Sequence, residues 1–235
     1  MAIEGSDLKV NGNVSGGLVS DGSTVTVNGN VTGNGIDTVI AKKGTVTVTG
    51  TVTATDLSQK TGVLASNGSN LTVGDTEVGR KESTGVIAES GSKATAGNVK
   101  VSGEYMTGTS ACGDSTVHVK GNVTADGNGM TGVSVHDGDK SSLIVDGDVT
   151  ATGVNSVGIY GETGTIKIGG DVSEREAVIT KGKADVTVGG SVSGTLVGIA
   201  AGGNAAVSVK GDAGTKTGAG MFAQENATVT VDGNV

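Results

Sequence analysis

A seven-residue frame, apolar-x-apolar-x-Gly-x-Val, returns from one end of the chain to the other and leaves few folds open to it. Its plainest copy is Val25-Thr26-Val27-Asn28-Gly29-Asn30-Val31. Further copies lie at residues 8–14, 46–52, 99–105, 117–123, 143–149, 166–172, 186–192, 207–213 and 229–235. One copy is irregular: after Leu71-Thr72-Val73 the turn reads Gly74-Asp75, and the next apolar residue slips to Val78. The second apolar position runs Val10, Val27, Val48, Val73, Val101, Val119, Val145, Ile168, Val188, Val209, Val231. The mean spacing, about 22 residues, is that of a solenoid repeat.

Within a copy the alternation has period two, so the two Val-type residues point one way and the residue between them the other. The outward column is Lys9, Thr26, Thr47, Thr72, Lys100, His118, Ile144, Lys167, Thr187, Ser208, Thr230, mostly polar or β-branched and suited to a wet pleated face. The glycine column is Gly12, Gly29, Gly50, Gly103, Gly121, Gly147, Gly170, Gly190, Gly211, Gly233. Either the backbone takes positive φ there or it packs too closely for a side chain. Asn and Asp flank it, which marks a corner. The apolar residue past the corner opens a second strand, and a third apolar segment follows in each unit, such as Val39-Ile40, Val63-Leu64 and Val178-Ile179.

The fold expected is therefore all-β: a single-stranded, right-handed, three-sided parallel β-helix (β-solenoid) of about eleven rungs, on the order of 50 Å long. It spans residues 1–235 as one elongated domain. The right-handed sense follows from the strong preference of parallel crossovers. Extra residues at 53–62, 88–98 and 124–132 read as extruded loops, which in solenoids often sit on a recognising face.

Only 34% of the residues are apolar, with 44 Gly, no Trp, two Tyr and one Phe, so an ordinary globular core is excluded and stability must come from stacking. The aliphatic residues keep a fixed phase, which excludes disorder. A net charge of −8 with thinly spread basic residues gives no footprint for nucleic acid. Lone Cys112 cannot form an internal disulfide, and no zinc spacing is present. Met1-Ala2-Ile3-Glu4 is no signal peptide, and no apolar run reaches the roughly 18 residues of a membrane span, so no direct membrane insertion is expected. Either the protein stays inside the cell or the chain is a segment cut from a longer precursor, and the second reading is the one adopted.

Among chemistry-bearing residues, the strongest cluster is Asp146, Asp148 and Asp171 at neighbouring corners, with Lys167 and Lys120 near. Polysaccharide lyases on β-helices hold Ca²⁺ with carboxylates, and this is the enzyme alternative. Carboxylates beside a turn glycine are expected anyway, and neither Arg80 nor Arg175 is in phase with the cluster. Asp137-Gly138-Asp139 lacks the further ligands of a calcium loop and reads as a turn. His118, at an outward strand position, and His136, in a turn, have no third ligand or Ser/Cys partner in phase and read as solvated surface, and Cys112 reads as a small buried hydrophobe in the third apolar column. Thr24, Thr26, Thr45 and Thr47 form a small Thr-x-Thr grid like that of ice-binding solenoids, interrupted by Lys100, His118, Ile144 and Lys167. Sequons at Asn13, Asn30, Asn67, Asn70, Asn122 and Asn226 follow from corner composition. No catalytic, cofactor-binding or metal-binding residue is assigned, and no cofactor is expected.

Units such as residues 25–31 and 46–52 make the whole chain resemble the right-handed β-helical passenger regions of bacterial autotransporters and related surface adhesins. The resemblance implies a non-enzymatic shaft, secreted and displayed at the cell surface. It implies adhesion to a host or cell-surface protein or glycan, or self-association end to end or side by side.

Overall fold

The computed structural model describes residues 2–34, 37–58 and 61–235. Its strands form because apolar residues alternate with polar ones. Along Thr24–Asn28, Val25 and Val27 are fully buried while Thr24 and Asn28 are exposed. Thr45–Val48 lies directly on this strand, parallel, with Val46 over Val25 and Val48 over Val27. Like stacks on like through eleven strands, from Asp7–Asn11 to Thr228–Val231, in strict chain order. This sheet is the first side of the coil.

Each turn then runs along a second side, for example Val31–Gly33, and a third, for example Val39–Lys42. These segments make a nineteen-stranded parallel sheet. Most turns break between the second and third sides, as expected for a three-sided coil. Val172–Thr180 and Val192–Ala201 pass from one side to the other as single strands, with a register shift between Glu174 and Glu176. The chain is thus an all-β parallel solenoid.

The core is narrow and aliphatic. Each buried Val or Leu contributes about 1.5–3 kcal/mol, and stacking them in columns lets every turn cover the one below. A smaller cluster of Ala54, Val78, Val101, Met106, Ala125, Met130 and Ala151 fills the second corner, between second and third sides. Tyr105 and Phe222, 60% and 40% exposed, lie outside the core.

The structure corrects the phase between residues 74 and 105. Residues 99–105 are not a first-side unit. Val99–Glu104 lies on the second side, between Thr76–Lys81 and Val123–Asn128. The first-side strand of that turn is Lys93–Ala96, stacked on Asn70–Val73 and under Thr116–Val119. Its inward positions are Ala94 and Ala96 rather than Val, and its corner, Gly97-Asn98, is one residue shorter, as is Gly74-Asp75. Thr95 therefore replaces Lys100 in the outward column, and Gly97 replaces Gly103 in the glycine column. In the irregular copy Thr76, fully buried, takes the Val position.

The three expected loops are corrected as well. Residues 53–58 belong to the strand Val52–Ser58, Gln59 and Lys60 lie outside the described residues, and Thr61–Ser66 resumes the third side. Residues 88–98 contain the missed strand Lys93–Ala96, and 124–132 are strand except for Gly129-Met130. The added length is taken up in longer strands.

Candidate functional site

The corner after the first side accounts for the acidic residues. Each Asn or Asp side chain there accepts the backbone N–H of its counterpart one turn later: Asn13 from Asn30 at 2.9 Å, and Asn30 from Thr51 at 2.9 Å. The ladder continues Asp75 to Asn98 to Asn122 to Asp148 to Asp171 to Ser191, at 2.7–3.0 Å. Asp148 and Asp171 thus each commit Oδ1 as a backbone acceptor. The side-chain oxygen occupies the place a Cβ would take at the next corner: a Cβ on Gly121 would meet Asn98 Oδ1 and lie 2.8 Å from its Cγ. Close approach, rather than positive φ, accounts for glycine here.

Asp146 stands one column out and holds His118, with Nε2 3.0 Å from the carboxylate. Lys167 lies over Ile144 on the first side, in line with no carboxylate cluster. Asp137 and Gly138 form a positive-φ turn, as expected, with Ser141 N–H donating to the Gly138 carbonyl at 3.0 Å. Among the described residues no three of His, Cys, Asp and Glu are grouped to hold a metal ion. Cys112 and His136 correct their sequence readings: Ala111 is the buried residue, Cys112 lies half-buried in the outward column, its thiol pushed up chiefly by desolvation, and His136, which ends the strand Thr131–His136 rather than lying in a turn, stands in register directly over it. The corrected phase lengthens the threonine column to Thr26, Thr47, Thr72 and Thr95 on four successive turns, before His118.

Chemistry converges instead at the second corner, between residues 150 and 216. After Val149–Thr152 the chain makes a corner at 153–156, pinned by buried Ser156, whose hydroxyl donates to the Thr152 carbonyl at 2.8 Å. Val154 at its tip is 56% exposed. The next two turns are the uninterrupted strands, which carry no corner loop. A loop returns at 216–218, between Ala213–Thr215 and Ala219–Ala223. The retracted turns leave a cleft of about 240 Å³ lined by the hydroxyls of Thr150, Thr152, Ser173, Ser193 and Thr195 and by Glu174, Arg175 and Lys216. A neighbouring hollow shares Arg175 and Thr195 and adds Val154 and Leu196.

Glu174 occupies the inward position that Ala151 holds one turn earlier, and is only 7% exposed. The Ala151 N–H donates to its Oε1, and Oε2 is buried with no partner. Desolvation pushes this carboxyl up to about 9 against the opposing pull of the Ala151 hydrogen bond, so it carries a proton at pH 7. Arg175 donates from Nη1 to Asn155 Oδ1 at 3.3 Å. Among the described residues neither Arg175 nor Lys216 is ion-paired. Sequence reasoning singled out Arg175 only as out of phase with the acidic corner and passed over Glu174. The available signal was period two: Val172-Ser173-Glu174 puts a carboxyl in an inward phase.

Comparison of the chain with protein-family models, curated proteins and solved structures finds no match.

Proposed function

We propose that this chain is a shaft: a right-handed β-helix of the kind in bacterial autotransporter-like surface adhesins, extracellular and non-enzymatic, acting by adhesion and self-association. The observation that carries this is an outward stripe on the third side. Val19, Ile40, Leu64 and Ile87 stand in register on four successive turns, each half-buried and facing away from the core. Apolar side chains repeated at the strand spacing of about 4.8 Å are met turn for turn only by a surface with the same period. A second copy, packed side by side, is that surface; end-to-end contact is the other arrangement. The right-handed sense rests on the crossover rule.

Sedimentation equilibrium tests this. The native chain is expected to self-associate at high concentration, and the double substitution Ile40→Lys with Leu64→Glu to be monomeric. A native chain that stays strictly monomeric overturns the self-association reading. The four-turn threonine column favours ice binding as a second reading, which a thermal hysteresis assay decides. The lyase alternative predicts Ca²⁺-dependent release of unsaturated uronates, lost in Asp148→Ala.

A further inference from the structure

We infer that the cleft between Gly153 and Lys216 is a subsite for the carboxylate of an acidic polysaccharide lying along the second side. This extends the adhesive reading to a named ligand class but stands on different residues from the self-association stripe, so either can fail alone.

The first argument is charge. The chain carries a net −8 and only two arginines, yet Arg175 and Lys216 line one cleft. A guanidinium offers two parallel N–H donors that match a carboxylate. Of the acidic groups beside the cleft, Glu174 is held protonated and does not oppose an anion, while the Asp126 carboxylate, which accepts the Thr152 hydroxyl at 2.6 Å, lies at the end away from Lys216. The Oε2 of Glu174 is buried with no protein partner, out of reach of a molecule in the cleft, so Glu174 shapes the floor and leaves the anion to Arg175 and Lys216.

The second argument is the outer face of the second side. Thr150, Ser173 and Ser193 stand in register on three successive turns within the cleft, and Thr124 adds a hydroxyl one turn before it. A hydroxylated polymer along the axis meets a hydroxyl on each of these four turns. Val154 and Leu196 form an apolar lip for the C–H face of a sugar ring.

The third argument separates sugar from peptide. An extended peptide is held by unpaired sheet edges. Strands of the second side around the cleft are paired with the turns before and after them, and at Ala151 the amide is taken by Glu174. No strand edge is offered there.

Titration calorimetry on the full chain with an unbranched galacturonate oligosaccharide tests the inference, with its methyl ester, free galacturonate and polyglutamate as further probes. The expected result is binding of the oligosaccharide, weakened about tenfold or more by Arg175→Gln and several-fold by Lys216→Gln, and by raised salt. Glu174→Gln, which keeps the shape of the floor, leaves affinity unchanged. Lys210→Gln, outside the cleft, changes nothing. Strand circular dichroism and melting temperature confirm that each variant is folded. Equal binding of the methyl ester, equal binding of polyglutamate, no binding of the oligosaccharide at millimolar concentration, or indifference to Arg175→Gln would each overturn the proposal.

Discussion

The two corners that follow the first and second sides are built on opposite principles. The first repeats one solution along the stack: a glycine pressed against the turn before it, and an Asn, Asp or Ser oxygen accepting the next turn's amide. The second changes from turn to turn. In the middle of the coil it uses a positive-φ column, Arg80, Gly103, Gly127 and Gly153, beside Met106 and Met130. Further on it disappears for two turns, a carboxyl enters the core, and a cleft opens. A solenoid needs only part of its circumference to be regular in order to keep register. The remainder is free to vary, and chemistry collects where the repeat relaxes.

An added methyl meets a side chain at the first corner but backbone carbonyls at positive φ at the second, so Gly127→Ala should cost more than Gly121→Ala in thermal denaturation. Gly121→Ala sets a methyl group against Asn98 and should cost about 3 kcal/mol, whereas Gly214→Ala, with nothing within 4 Å of the added atom, should leave the melting temperature nearly unchanged. At the second corner, Glu174→Gln removes a buried ionisable group and should stabilise the chain by about 2 kcal/mol at pH 8. The pH dependence has a definite sign. The folded chain holds a proton to about 9, against an ordinary 4.5. The contribution to stability is therefore complete below about pH 4.5 and is lost as the pH rises toward 9. Urea midpoints across this range should fall with pH in the native chain and flatten in Glu174→Gln.

Smaller effects sharpen the contrast. Asp171→Ala deprives the Ser191 amide of its acceptor and should cost about 1 kcal/mol, while Asp171→Asn keeps the oxygen and should be neutral by thermal denaturation. Arg80 sits at φ 124 in register with Leu57 on one side and Gly103 on the other, so Arg80→Gly should gain about 1 kcal/mol in unfolding free energy from chemical denaturation. If Gly121→Ala proves harmless while Arg80→Gly is costly, neither close approach at the first corner nor strain at the second holds.

The frame was legible because Val, Gly and Asn each answer one local demand: burial, close approach, and a free amide. What escaped the sequence departs from that pattern by one residue or one methyl group. Lys93–Ala96 hid because Ala fills inward sites and its corner is a residue short. Thr76 hid because a hydroxyl-bearing residue takes a Val place with its Oγ1 unpaired. A second polar column was readable but went unread: Ser69, Ser92, Ser115 and Ser141 each stand two residues before an inward aliphatic and are 1% exposed. The Ser92 amide donates to Ser115 Oγ at 3.1 Å. The cleft was beyond local reading, because it comes from corner loops shortened in two turns and restored in the next.

The side-chain ladder has a direction. At every step the earlier turn owns the acceptor and the later turn brings the donor. At this corner a stack that has already closed its amino-terminal turns therefore offers each arriving segment a row of oxygens waiting at the correct height, whereas in the serine column the later turn holds the acceptor. A polypeptide delivered from its amino terminus, whether from the ribosome or through a pore, can wind onto itself like thread onto a spool.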